Sequence, residues 1–160
     1  MSGALTTYQT PIVKDWVDYN GHLRDAYYLL IFSHATDALM DIIGLDEAGR
    51  ARTAHTLYTL ECHLNYLDEV KEGEQVEVRT QLIAHDAKRL HISHSLHRVG
   101  EAASLAESEQ MLMNIDTQTG RGAVFDADVA EAVAAIAREQ ADLPAPVYVG
   151  RVIGLPKKAA

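Results

Sequence analysis

The sequence predicts an α+β fold in which a curved antiparallel sheet wraps a long buried helix, with an additional C-terminal helix. Three observations predict it. Residues 25–43 carry apolar side chains at helical spacing over most of the helix circumference, which suits a core position rather than a surface one. Between 57 and 115, strand-like runs follow one another with only turns between them, which implies antiparallel pairing. The runs are apolar on one face only, so the sheet is expected to curl around the helix to cover that face.

Taken in order, Thr10 to Val17 reads as a first strand, with Ile12, Val13, Trp16 and Val17 as its apolar content. It ends at Asp18-Tyr19-Asn20-Gly21, which is strong turn chemistry. Met1 to Thr7, small and polar, is expected to be loose. In the helix, Tyr28, Phe32, Ala35, Leu39 and Ile42 recur at helical spacing, and Tyr27, Leu30, Ile31 and Ile43 widen the apolar surface. A narrow polar stripe runs through His34, Asp37 and Asp41, and Gly44 is a stop signal. Asp46 to Ala54 reads as irregular. From Leu57 to Leu67, Tyr58, Leu60, Cys62, Leu64 and Tyr66 alternate with Thr59, Glu61, His63 and Asn65. Val76, Val78, Leu82 and Ala84 form the next run after the Glu72-Gly73 turn. Leu90, Ile92 and Leu96 form another after Asp86-Ala87-Lys88. Ala103 to Ile115 is less regular, and a bulge is expected there. After the polar turn Asp116 to Gly122, Asp128 to Glu139 reads as a helix with Val129, Val133 and Ile136 on one face. Asp128 and Glu131 stand at capping-box spacing.

The chain has 160 residues, is 48% hydrophobic and 23% charged, and fits one domain with a core of its own. The expected core is about 8–140. Residues 141–160, with LPAP and the final PKKAA, form an extended tail. The net charge of −9 and the lack of any basic block longer than Lys88-Arg89 or Lys157-Lys158 argue against nucleic acid or anionic membranes as partners. The longest apolar run, Tyr27 to Phe32, is too short to span a bilayer. With one cysteine and no secretory pattern in Met1 to Tyr8, a cytoplasmic location is expected. Eight histidines occur without metal-ligand spacing, and neither a phosphate loop nor a G-x-S-x-G elbow is present.

The stretch Trp16-Val-Asp-Tyr-Asn-Gly-His-Leu23 gathers Asp18, Asn20 and His22 between a strand end and the start of the buried helix. A helix N-terminus offers backbone N–H groups that can stabilise an oxyanion from an ester or thioester carbonyl. A nearby carboxylate can attack that carbonyl or activate a water. Asn20 would orient the water or the carboxylate, and His22 would assist proton transfer. The same residues also suit a plain strand-to-helix turn.

The pattern D-x-N-G-H followed by Ala26, Tyr27 and Tyr28 resembles the hotdog-fold acyl-CoA thioesterases of the 4-hydroxybenzoyl-CoA thioesterase family. The resemblance covers roughly Thr10 to Asp126. HTLYTLECHLNYLDEVKEG and DAKRLHISHSL are similar to a narrower group, the betainyl-CoA thioesterases of carnitine degradation. The resemblance implies an acyl-CoA thioesterase with Asp18 as catalytic carboxylate and no cofactor beyond the coenzyme A carried by the substrate. Related plant acyl-carrier thioesterases use the Asn and His that match Asn20 and His22. Many relatives have two Asn residues where this chain has Arg24-Asp25, a departure that changes the charge at the pocket mouth. Sister enzymes place the carboxylate on the central helix, where Asp37 is the candidate, with Asp41 behind it. The fold family also implies a homodimer or tetramer with the site between subunits.

Trp16, Tyr19, Tyr27 and Tyr28 all lie within ten positions of Asp18, and Trp16 shares its strand parity. Aromatic rings beside a carboxylate suit a quaternary ammonium. Tyr27 and Tyr28 equally suit plain packing of the core helix. Betainyl-CoA, giving glycine betaine, is the expected substrate. The alternatives are a general short-chain or aromatic acyl-CoA thioesterase, or a non-catalytic module that binds an acyl ligand. Lys88 and Arg89 are the local candidates for the CoA phosphates, although a hairpin end explains them equally well. His94 reads as a core histidine, Cys62 as a buried inert thiol, and Glu61 as solvated or at a subunit contact. His91 and His97 share a face with Ser93 and Ser95.

Overall fold

A long helix, α1 (Asp25–Ile42), lies in the hollow of an antiparallel sheet made of β1 (Leu5–Pro11), β2 (His55–Tyr66), β3 (Gln75–His85), β4 (Arg89–Arg98) and β5 (Ser104–Asp116). The computed structural model describes residues 3–158. The strand order is β1-β3-β4-β5-β2, and the short β6 (Arg121–Gly122) pairs with β5. Helix α2 (Glu47–Thr53) follows α1, and α3 (Ala127–Glu139) follows the sheet. This is the expected hotdog arrangement.

The core divides along α1. Towards its N-terminus, Tyr28, Ile31, Phe32 and Ala35 pack on Ile12, Val70, Val76, Val78 and Leu96. Towards its C-terminus, Leu39, Met40 and Ile43 meet Leu90, Ile92 and Leu112, and α3 closes that end with Val129, Val133 and Ile136. Full burial of a side chain such as Phe32 contributes about 1.5–3 kcal/mol. No single helix among the described residues is long and apolar enough to cross a membrane.

Several expectations need correction. The first strand is Leu5–Pro11, not Thr10–Val17, and Leu5 to Thr7 is paired strand rather than loose chain. The strand ends at Pro11, the Ile12 N–H still donates to the Glu74 carbonyl at 2.9 Å, and Lys14–Trp16 then forms a 3-10 turn. Trp16 and Asp18 therefore share no strand parity. Asp46 to Ala54 is not irregular: the Asp46 carboxylate accepts the Gly49 N–H at 2.8 Å and caps α2. The cap of α3 is Asp126, whose carboxylate accepts the Asp128 N–H, rather than Asp128 itself.

In β2 the alternation breaks. Thr59 pairs with Leu112 and Glu61 with Met111, so Leu60 is an extra residue in a bulge. Paired residues share a face. Cys62, Leu64 and Tyr66 therefore stand with the α1-facing Gln110, Ser108 and Ala106, whereas Tyr58 stands with Met113 on the opposite side. Cys62 is exposed rather than buried, because β2 is the open edge of the sheet. The bulge expected in the last strand is present: Leu96 pairs with Ala106 and His97 with Ser104, leaving Leu105 as the extra residue.

The described part of the tail, 141–158, holds no helix or strand, turns at 141–142 and 147–148, and crosses the face turned away from α1. Gln81 Nε2 donates to the Pro144 carbonyl at 3.1 Å, and the Gly150 N–H reaches the Glu109 carboxylate at 2.8 Å.

Candidate active site

Residues 18–22 form a closed loop held from both sides. The Asp18 N–H donates to the His22 carbonyl at 2.9 Å, and the Gly21 N–H to the Asp18 carbonyl at 3.0 Å. Gly21 has φ +77, a left-handed conformation that an L side chain adopts at a cost. Val17 bridges Leu23, and His22 bridges Lys71, so the loop is stitched to the chain before β3. The Arg24 N–H donates to the Trp16 carbonyl at 3.0 Å, which fixes where α1 begins.

The Asp18 carboxylate sits over this loop. Its Oδ1 accepts the N–H of Asn20 at 2.8 Å and of His22 at 3.1 Å. These donors, His22 above all, hold its carboxyl below the usual aspartate range and keep it ionised. Both bonds fall on Oδ1, so among the described residues Oδ2 is the oxygen left for a water or a substrate. Asn20 serves Asp18 through its backbone, and its side chain is exposed. The His22 ring is not on Asp18: Nε2 lies 3.3 Å from Glu69 Oε2, which orients the ring towards the turn before β3.

The start of α1 is ringed by aromatic residues. Trp16 and Tyr27 stack with centroids 6.2 Å apart. Tyr28 is buried and donates its hydroxyl to the Asp68 carbonyl at 3.2 Å. Burial pushes that phenol up to about 12. Tyr66 meets Tyr28 edge-on at 5.1 Å and donates its hydroxyl to the Asp25 carbonyl at 3.1 Å. Tyr66 and Glu69 are additions to the residues read from the sequence. The alternation of β2 places Tyr66 on the helix side, but nothing local ties it to Asp25. Tyr19 stands apart, 93% exposed.

The other candidates fall elsewhere. Lys88 precedes and Arg89 opens β4, whereas Arg98 closes it beside the site, bonded to the Glu69 carbonyl at 2.9 Å. Strand rise puts the two ends roughly 30 Å apart. Arg89 is also paired with Asp86 at 2.6 Å. The doublet therefore does not reach the Asp18 loop of its own chain, and the nearer cations are Arg24 and Lys71. Asp37 and Asp41 are exposed on α1, with Asp37 about 18 Å along the helix from Asp25. His94 is a core residue bonded to Thr36 and Thr80. His91 meets Glu109 at 3.3 Å and His97 meets Ser95 at 2.8 Å, on the face away from α1. Glu61 is exposed. Among the described residues no group of His, Cys, Asp or Glu is placed to hold a metal.

The chain is similar to known proteins over nearly its whole length. A betainyl-CoA thioesterase of Pseudomonas aeruginosa is 59% identical over 156 residues, covering 98% of both chains. A crystal structure from Pseudomonas putida, described as that of a thioesterase, superposes with a TM-score of 0.85 at 50% identity, covering 98% of this chain and 100% of that one. A Staphylococcus aureus protein solved in complex with CoA gives 0.87 at 28% identity, covering 97% of this chain and 100% of that one. The family model described as thioesterase-like superfamily matches residues 12–133, from the end of the first strand to the last helix, and the chain belongs to that superfamily.

Proposed function

We propose that the protein hydrolyses betainyl-CoA to glycine betaine and free CoA, with Asp18 as the catalytic carboxylate. The observation that carries the chemistry is the Asp18 carboxylate: held ionised through Oδ1, with Oδ2 left open, beside the first turn of a buried helix. As general base, Oδ2 takes a proton from water while the water oxygen attacks the thioester carbon. The carbon–sulfur bond then breaks, and the CoA thiolate leaves and is protonated. As nucleophile, the same oxygen attacks the thioester carbon and expels the CoA thiolate, leaving a mixed anhydride that water hydrolyses to glycine betaine and the Asp18 carboxylate. In either route a backbone N–H at the start of α1 polarises the thioester carbonyl. Asn20 and His22 shape the loop that holds Asp18, and Trp16, Tyr27 and Tyr28 supply the aromatic surroundings at the start of α1, which Tyr19, turned to solvent, does not join. The end-to-end likeness to the Pseudomonas aeruginosa enzyme supports the choice of betainyl-CoA.

The working unit in this reading is the whole chain as a single domain, paired into a homodimer through β2, in the cytoplasm where acyl-CoA thioesters are made. Thiol release measured across a panel of acyl-CoAs tests the activity, and Asp18→Asn tests the site. The variant is expected to keep its fold and bind acyl-CoA while losing at least about 10²-fold in rate. Turnover near wild type would move the carboxylate to Asp37.

A further inference from the structure

We infer that the Asp25 carboxylate and the Tyr66 ring together seat the trimethylammonium end of the acyl group, with Asp25 setting the preference for a cationic acyl chain. The inference rests on betainyl-CoA being the substrate, as proposed above. A quaternary ammonium carries no N–H. It offers acceptors no hydrogen bond and is recognised only by negative charge and by aromatic faces. A selective site therefore has to hold a carboxylate that no protein cation neutralises, next to a ring that is not covered.

The mouth of the Asp18 loop meets both conditions at one place. Asp25 opens α1, two residues after the Val17–Leu23 bridge that closes the loop. It is exposed, and among the described residues it enters no ion pair. Its Oδ1 accepts the Ala26 N–H at 2.8 Å, which fixes where the carboxylate stands. The acidic neighbours are engaged: Glu69 with His22 at 3.3 Å, Asp68 and Glu74 with Arg98 at 3.7 and 2.8 Å. Tyr66 is bonded to the same residue through the Asp25 carbonyl, is 50% exposed, and is braced edge-on by the buried Tyr28. The ring is held in position before a ligand arrives. The other aromatic candidates fit less well. Trp16 and Tyr27 stack on one another, and Tyr19 stands in solvent.

A carboxylate in the first turn also steadies a helix whatever the substrate. The test therefore reads selectivity rather than activity alone. The measurement is kcat/KM for betainyl-CoA divided by kcat/KM for 3,3-dimethylbutyryl-CoA, which has the same shape without the charge. Asp25→Asn keeps an acceptor for the Ala26 N–H and is expected to reduce this ratio at least tenfold. Tyr66→Leu is expected to reduce it about 2- to 30-fold, the range of a cation–π contact, while Tyr66→Phe keeps most of it. A wild-type preference that survives unchanged in Asp25→Asn and in Tyr66→Leu overturns this assignment alone. Equal use of the two thioesters by the wild-type enzyme overturns the betainyl-CoA reading, and this assignment with it.

Discussion

His94 lies wholly inside the protein, stacked on Phe32, and its two ring nitrogens meet different threonines. Thr36 Oγ1 donates to the Phe32 carbonyl at 3.2 Å, so it must accept from His94 Nε2 at 3.0 Å. His94 Nδ1 meets Thr80 Oγ1 at 2.8 Å, and Thr80 meets Thr7 at 2.9 Å. A neutral ring that donates through Nε2 and accepts at Nδ1 satisfies this network. Burial pushes this imidazole down from 6.5 to about 3. Between those values the unfolded chain binds a proton that the native state refuses. The stability contributed is complete above pH 6.5 and is lost as pH falls towards 3, at up to about 1.4 kcal/mol per pH unit. His97, also held low by burial, acts in the same direction. The paired carboxylates Glu74 and Glu77, held below their usual 4.5, lose their contribution only as pH falls below about that value. Denaturant titrations between pH 6.5 and 5 should therefore show a slope that His94→Gln largely removes. An unchanged slope would refute the assignment. Asp18 carries a separate expectation. Its lowered pKa places the acid limb of kcat/KM below the ordinary aspartate value, and a limb near pH 6 would point to a histidine instead.

At the level of elements, legibility followed length and locality. Helix α1 and strands β3 to β5 were readable because each repeats its period long enough to outweigh exceptions. The β2 pattern misled because a bulge is a property of a pair. Nothing in the strand's own residues says that Leu60 is skipped by β5, so Tyr58 was assigned to the wrong face. Val13, Trp16 and Val17 looked like strand because their side chains favour strands, while the chain turns into a 3-10 segment at Lys14–Trp16. The Asp18 loop was legible as a motif. The seat made by Asp25 and Tyr66 was not, because it depends on a contact between distant parts of the chain. Helix α2 was missed because two turns of pattern are too little signal, yet its position is tightly constrained. A Cβ on Gly49 would run into the Gly44 carbonyl oxygen, a backbone atom that cannot rotate away. Gly49→Ala should therefore cost about 1–3 kcal/mol in denaturant unfolding. That is at least as much as Asp46→Ala, which removes the cap and about 1 kcal/mol. A neutral Gly49→Ala would show that the α1–α2 junction yields easily.

For the whole molecule, the proposed homodimer turns on β2. The strand forms one edge of the sheet and bears Tyr58 at 51% and Leu60 at 49% exposure, a surface that invites a second strand. A two-fold pairing of β2 with its copy runs antiparallel. The Tyr66 end of one chain, beside its Asp18 loop, then meets the His55 end of the other. That end lies near the second copy's Lys88–Arg89 turn, because His55 pairs with Asp116 and Arg89 with Met113 of the same strand β5. In such a dimer the doublet too distant to serve its own chain would be carried towards the other chain's site, where it could meet the CoA phosphates of the proposed substrate. Lys88→Glu should raise KM for the thioester, and Leu60→Arg should weaken the dimer and activity together. Mixed dimers give the sharper test. When Asp18→Asn and Lys88→Glu chains are unfolded together in equal amounts and refolded, half the dimers are mixed. Each of these holds one site with both groups intact, so activity should recover to about a quarter of wild type. Activity no greater than the average of the two separate variants would show that Lys88 does not serve the Asp18 site of the other chain, and an active monomer by light scattering would remove the need for a second copy altogether.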